Sequence, residues 1–509
     1  MLSKVLSAGL IGIDGYIVNV EVDLSQGLYA FDIVGLPDNA VKESKERVRT
    51  AIKNSQYDFP IKRITVNLAP ADTKKEGAFF DLPIAVGILS CMGEIKARLD
   101  DILIIGELSL DGSVRGVSGI LPMVHSAKQK GITKCIVPME NAQEAALVNE
   151  VEVIGVNHIV EVVEYFKNSK AVEPVTVNIE EIFKKGVEQY FLDFADVKGQ
   201  EKVKRVLEIA AAGMHNVIMI GPPGSGKTMM AKRLPTILPD LSFDESIEIT
   251  KIHSVAGLLK SKEALVSVRP FRAPHHTISN SAMVGGGRIP KPGEVSLSHN
   301  GVLFLDELPE FHRSVLEELR QPLEDREVTI SRVNGTMTFP ANVMLVASMN
   351  PCPCGYHGYS DKCTCTTNEI AKYMGKISGP LLDRIDLHVE AAAVEYKDLE
   401  NSSTGESSKD IKARVLKAHK IQQDRYKNEN IYFNSQLSAP QIEKYCRLGQ
   451  AENELLKNAF EKLNFSARAY HKLLKISRTI ADLEGKENID VTHIAEAIQL
   501  RNLDRKFLY

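Results

Sequence analysis

The run VIMIGPPGSGKTMM sets Gly221, Pro222, Pro223, Gly224, Ser225, Gly226, Lys227 and Thr228 directly after four apolar residues. The spacing G-x-x-x-x-G-K-T makes a loop whose backbone N–H groups face phosphate oxygens, and the helix beyond it adds its positive end. Lys227 would reach the β- and γ-phosphates, and Thr228 would hold Mg²⁺. A second run, GVLFLDEL, ends an apolar strand on two carboxylates. Asp306 would act on Mg²⁺ through its water shell, and Glu307 would polarise the attacking water. A third run, ANVMLVASMNP, closes on Asn350, a polar side chain suited to orienting that water or meeting the γ-phosphate. The chemistry expected is hydrolysis of ATP, with ATP and Mg²⁺ as cofactors.

Two arginines lie downstream. In SGPLLDRIDLHV, Arg384 stands between Asp383 and Asp386 in an otherwise apolar run. Either it closes a local salt bridge at a helix end, or the two aspartates hold it at a surface, aimed outside its own subunit. Arg468 opens the helical run ARAYHKLLKISRTIADL. Upstream, ADVKGQEKV resembles the AAA+ segment that packs near the adenine, with Val197 and Gly199 as the candidates.

The chain has seven cysteines, four of them in CPCGYHGYSDKCTC. Cys352, Cys354, Cys363 and Cys365 offer four thiolates to one tetrahedral ion, and Gly355 and Gly358 let the chain turn back. A structural Zn²⁺ site and a loop of unmetallated thiols both remain open. With no export signal in MLSKVLSAGLIGIDGYIVNV, the compartment expected is the reducing cytoplasm, where such a cluster is metal-binding rather than disulfide-bonded.

The formal net charge is −4, so any basic surface must be local. Residues 251–300 carry seven Lys or Arg against two acids, a local charge of +5. Arg272, Arg288 and Lys291 in this stretch are candidates for contact with DNA phosphates, single-stranded or branched. Arg332 joins them beside the Asn334–Gly335 turn of REVTISRVNGTMTFP, where alternating apolar residues predict a β-hairpin. His275 and His276 are expected to point apart on a strand, which favours structural or phosphate-contact roles over a shared metal.

The elements that must position these groups follow from 509 residues of ordinary globular composition, 44% hydrophobic and 25% charged. There is no apolar run long enough to span a membrane. Residues 1–165 alternate short strands with helical runs such as NAVKESKERVRTAIKNS, for which Asn39 is the expected cap. Residues 166–189 are polar and read as a linker. Residues 190–395 hold the nucleotide motifs. The C-terminal region, 396–509, opens on a polar stretch, 398–410, and reads as helical from Ile411 to its end.

FRAPHHTISNSAMVGGGRIPKPGEVSLSHNGVLFLDELPEF, LRQPLEDREVTISR and NPCPCGY closely resemble the magnesium-chelatase-like AAA+ ATPases of the ComM/YifB family. The resemblance covers essentially the whole chain. It implies an α/β fold: an AAA+ P-loop core, a Lon-protease-like (S5-type) α/β N-terminal domain and a C-terminal helical lid. It implies that Asn350 is sensor 1, Arg468 sensor 2 and Arg384 an arginine finger completing a neighbour's ATP site, so that the working form is a homo-oligomer, a hexamer in this family. ComM-type members are DNA motors of branch migration in recombination and natural transformation, and that is the activity implied. A chelatase-like or protein-remodelling ATPase, acting on a protein or metal-insertion partner, is the alternative. In the Lon-like part the expected serine falls near Phe79 and the expected lysine near Leu121. Without nucleophile or base there is no covalent route, so peptidase activity is not expected.

Overall fold

The computed structural model describes residues 1–168, 172–187, 192–259, 264–287, 290–332, 335–393, 405–429, 431–463 and 465–501. They form two compact units, one of residues 1–186 with 243–267, the other of 187–242 with 268–509.

The first unit is built on a seven-stranded mixed sheet. Its strands lie in the order Ala30–Val34, Arg63–Ala69, Asp14–Ser25, Leu2–Ile11, Ile102–Ile104, Lys134–Pro138 and Glu152–Val156. Period-two alternation makes the long strands: Val18, Val20, Val22 and Leu24 are buried while Asn19 and its successors face the other way. The helix Asn39–Asn54 begins where expected, but its cap is Asp38, whose carboxylate accepts from Val41 N at 2.8 Å; Asn39 is the first helical residue. The segment 243–267, expected inside the 190–395 core, belongs to this unit. Its helix, Phe243–Ala256, packs on Ile120–Gln129, and Leu265 enters the same apolar cluster as Leu121 and Val124. Ser254 donates to the buried Glu144 and accepts from Gly119 N at 3.0 Å. The expected linker is also part helix: Ile179–Val187 lays Ile179, Ile182 and Phe183 against that cluster.

The second unit carries a five-stranded, all-parallel sheet. Across it run Phe271–Arg272, Val302–Leu305, Met344–Met349, Val217–Ile220 and Leu387–Glu390. In chain order this is 2-3-4-1-5, so the strand feeding the phosphate loop is flanked by the fourth and fifth. Val217–Ile220, Val302–Leu305 and Met344–Met349 are buried throughout, as short apolar runs in a covered parallel sheet must be. Ligands bind at the carboxyl ends of such strands, which is where Gly221, Asp306 and Asn350 fall.

The division expected at 395/396 lies outside the described residues. On either side of it the apolar core is continuous: Ser408–Arg425 and Ala467–Leu483 both pack on Glu201–Gly213. A buried polar cluster locks them. Arg425 and Arg478 both reach Asp482, and Asn434 donates to Asp482 Oδ2 at 2.9 Å.

Candidate active site

The phosphate loop leaves its strand at Gly221, whose Cα faces the Ala391 carbonyl so closely that a side chain there would overlap it. Gly226 takes the left-handed region at φ +83° and caps the helix Lys227–Arg233. Lys227 is folded back over the loop, donating to the Gly221 and Pro222 carbonyls at 2.8 and 2.9 Å and reaching Ser225 Oγ at 3.3 Å. Burial pulls its ammonium below the usual lysine range, and Asp306 and Glu307 oppose that shift. These carbonyl bonds are the ones an incoming phosphate would replace.

Thr228 Oγ1 donates to Asp306 Oδ2 at 2.7 Å, and Ser348 Oγ donates to the other oxygen of the same carboxylate. A hydroxyl and a carboxylate in contact at the loop are a fit for Mg²⁺, which takes few protein ligands and keeps its waters. Bound there, Mg²⁺ would supply neutralisation of the phosphate charge. Glu307 is a non-glycine residue at φ +54°, with an exposed side chain. That backbone costs a β-carbon about 1–2 kcal/mol, and it turns the carboxylate away from the strand. Asn350 Oδ1 lies 3.4 Å from Lys227 Nζ. So Lys227, Thr228, Asp306 and Asn350 form one connected group.

His276 Nδ1 is 3.9 Å from Glu307 Oε2, a neighbour that the sequence reading did not assign to this site. His275 and His276 do not point apart. Their rings lie 4.1 Å centroid to centroid, because the segment after Phe271–Arg272 is a turn and not a strand. Val197 is buried in the core, and Gly199 is left-handed at φ +66°. Gln200 Nε2 bridges from there to the Ala392 carbonyl at 2.5 Å.

A second cationic group lies elsewhere in this unit. Arg384 donates Nε to the Arg320 carbonyl at 2.9 Å and Nη1 to the Pro380 carbonyl at 2.8 Å, and pairs through Nη2 with Glu324. Arg468 Nη2 is 3.7 Å from the other oxygen of Glu324. Both line a polar cavity of about 240 Å³ with Arg326, Lys472 and Lys475. Arg468 thus sits with Arg384, and among the described residues neither bonds to Lys227, Thr228, Asp306 or Asn350. The flanking aspartates do not hold Arg384. Asp386 accepts from Asn216 N at 2.9 Å and pairs with Lys472 at 2.7 Å. Burial alone would raise the Asp386 carboxyl, but Lys472 and His215 hold it far below the usual range.

Of the basic candidates, Arg272 is committed within the chain, its guanidinium bidentate on Glu294 at 2.6 Å for each bond. Lys291 is exposed on a short hairpin, Gly285–Gly286 against Lys291–Pro292. Arg332 is exposed near the tip of the hairpin Glu327–Arg332 against Gly335–Pro340. The two hairpins are neighbours: a Cβ on Gly285 would meet Ile330 Cδ1 at 2.7 Å, and one on Gly286 would be 3.6 Å from Arg332 Nη2. Arg288 and the Val333–Asn334 tip lie outside the described residues, as do Lys260 and Lys262.

The four cysteines converge, all sulfurs within 4.8 Å of one another, a donor set that suits Zn²⁺. In the first unit, the Phe79 ring lies 4.7 Å from that of Phe80, tilted by 44°, and Leu121 is buried, its N–H donating to Glu144 at 3.0 Å. Among the described residues no helix is long and apolar enough to cross a membrane.

A parallel sheet ordered 2-3-4-1-5, with a phosphate loop, an Asp–Glu pair and an asparagine at the ends of its three central strands, defines a P-loop ATPase core of the AAA+ class. Residues 193–399 match magnesium chelatase subunit ChlI, residues 20–141 a further ChlI segment, and residues 405–501 the ChlI C-terminal region. The chain is 44% identical to competence protein ComM of Haemophilus influenzae over 99% of its own length and 98% of that protein. It is 41% identical to YifB of Escherichia coli, over 100% and 98%. Lon protease 2 of Bacillus subtilis matches 26% of this chain at 33% identity, over 26% of its own length. The chain belongs to the magnesium-chelatase-like ATPases that include ComM and YifB.

Proposed function

We propose that this chain assembles into a ring, a hexamer in the family pattern, and couples ATP hydrolysis to movement on single-stranded or branched DNA in the cytoplasm. Branch migration during recombination or uptake of DNA is the activity favoured, in keeping with the competence protein among its relatives. In this reading Lys227, Thr228 and Asp306 hold ATP and Mg²⁺, Glu307 activates water, and Asn350 orients it. Arg384 and Arg468 serve the neighbouring subunit's nucleotide together, since they share Glu324. The four cysteines hold a structural Zn²⁺.

The observation that carries the DNA assignment is the pair of adjacent hairpins presenting Lys291 and Arg332. Two exposed cations on neighbouring ribbons suit a phosphate backbone read without sequence preference. The layout that goes with this reading is a Lon-like part at 1–165 without a serine–lysine pair, a linker at 166–189, a core at 190–395 and a lid at 396–509, with 243–267 counted with the first part.

Steady-state ATP hydrolysis is the test, without DNA, with single strands and with a four-way junction, at two salt concentrations. Strong stimulation that fades with salt is expected. Hydrolysis indifferent to every DNA would favour the alternative, a chelatase-like or protein-remodelling ATPase.

A further inference from the structure

The segment from Asn350 to Tyr373 leaves the end of a central strand, turns at Gly355 and Gly358, and returns. Both glycines are left-handed, at φ +86° and +77°. Its return is anchored at its own start. Burial pushes the Tyr373 phenol up, while a backbone hydrogen bond from Asn350 works the other way. Between these ends the loop has no apolar core: none of residues 356–372 is buried. In the middle stand four sulfurs. Cys352 Sγ is 3.3 Å from Cys354 Sγ and 3.9 Å from Cys363 Sγ, and Cys354 and Cys363 are 3.6 Å apart. A Zn²⁺ thiolate tetrahedron with bonds of about 2.3 Å has edges of about 3.8 Å. The turn also points a backbone donor at the cluster, His357 N lying 3.3 Å from Cys352 Sγ. A loop that cannot bury itself and gathers four thiolates takes its fold from the metal.

The same loop lies against the phosphate loop. A Cβ on Gly355 would stand 2.6 and 2.8 Å from Pro223 Cδ and Cγ, and 3.8 Å from Asn350 Cγ. Pro223 is the middle of Gly221-Pro222-Pro223-Gly224, and Asn350 reaches Lys227. We infer that the cysteine loop is a zinc-stabilised brace of the ATP site, seated on Pro223 and Asn350, so that occupancy by Zn²⁺ sets nucleotide affinity and turnover. The inference rests on the ATPase reading above and adds to it a metal dependence that Mg²⁺ cannot satisfy. Zinc here is not catalytic, because four thiolates fill its coordination. Its effect passes through position: without it the turn that seats Gly355 beside Pro223 keeps only its own backbone bond, Gly355 N to the Cys352 carbonyl at 3.0 Å.

The experiment uses full-length protein purified without a polyhistidine tag. Metal content, affinity for a fluorescent ATP analogue and turnover are measured together. About one zinc per chain is expected. Stripping zinc under reducing conditions, or Cys363→Ser with Cys365→Ser, should weaken nucleotide binding by about tenfold or more. Added Zn²⁺ should restore the stripped protein, and Mg²⁺ alone should not. Cys365→His, which keeps a zinc ligand, should retain metal and affinity. Gly355→Ala should keep its zinc yet bind nucleotide poorly, because the methyl group lifts the loop off Pro223. Protein with far less than one zinc per chain, or stripped protein that binds nucleotide as tightly as before, would overturn the inference. If the serine variants fail to fold, Gly355→Ala decides: zinc kept with affinity unchanged removes the coupling. Failure of the ATPase reading looks different, as zinc-loaded protein that binds the analogue tightly and never hydrolyses ATP.

Discussion

Arg384 and Arg468 hold opposite oxygens of one carboxylate, that of Glu324, although they stand far apart in sequence and on different elements. One guanidinium is also fixed by two backbone carbonyls, and the other is exposed. A shared anchor sets the two guanidinium groups side by side, so what approaches one approaches both.

Arg384→Ala should therefore cut turnover by about a thousandfold or more, with ATP binding by the chain nearly unchanged. Arg468→Ala should act in the same direction. Mixing Arg384→Ala with Glu307→Gln subunits should recover part of the activity, because a site can then form with an intact glutamate on one side and an intact arginine on the other. No recovery at any mixing ratio would place Arg384 within its own subunit's chemistry.

The hairpins make a separate claim. Lys291→Ala with Arg332→Ala should leave hydrolysis without DNA intact and lower its stimulation by DNA. Each lost phosphate contact should flatten the slope of log affinity against log salt by about 0.9 on duplex and 0.7 on single strands. Fluorescence anisotropy across a salt series measures it, and an unchanged slope would remove both residues from the DNA surface.

Gly221→Ala tests the close approach of the phosphate loop to the fifth strand. The added methyl must overlap the Ala391 carbonyl oxygen, and the neighbour is backbone, which gives little. Overpacking of this kind costs about 1–3 kcal/mol, so the melting temperature should fall along with nucleotide binding. Thermal melts with and without nucleotide separate the two losses.

Lys475 gives a pH signature. Burial, reinforced by Arg326 and Lys472 and opposed by Asp386, brings its ammonium down to about 8. Below that value the group is charged both folded and unfolded, and the full cost of burying it is borne. As pH rises from about 8 toward the unfolded value of about 10.4, the folded chain sheds the proton first and stability rises. Lys475→Met should be the more stable protein at pH 7, by roughly 1–3 kcal/mol, with the advantage shrinking toward pH 10. The Ser435 carbonyl that Lys475 leaves behind keeps Arg326 as a donor at 3.3 Å. Urea titrations of both proteins across that range give the difference directly.

What could be read from residue order alone was whatever the chain keeps contiguous. The phosphate loop, the Asp306–Glu307 pair and Asn350 each end an apolar strand, so position and role come from the same few letters. The cysteine cluster is legible for the same reason. The partners of Arg384 were not: Asp383 and Asp386 are near in sequence, but Asp386 turns inward to Lys472 and Asn216, and Glu324 arrives from another helix. The segment 243–267 carries no mark of its destination. Its apolar residues would suit any core, and the group that claims it is a buried carboxylate, Glu144, roughly a hundred residues earlier. The histidine pair was misplaced because a turn and a short strand have the same composition there.

That segment has a consequence for how the molecule can be divided. Because 243–267 returns to the first unit, the polypeptide crosses between the units three times, at 186/187, 242/243 and 267/268. A protease that opened the 166–189 stretch would cut the covalent link of residues 1–165, which would then be held only by packing on 243–267, itself still joined to the ATPase by two peptide connections. A clone ending at residue 186 would fare worse, leaving the Ile120–Gln129 helix bare and Glu144 without the Ser254 hydroxyl. The Lon-like part of this chain is therefore not a module that can be shortened, swapped or fused elsewhere as one continuous stretch; it is completed only by residues encoded inside the ATPase.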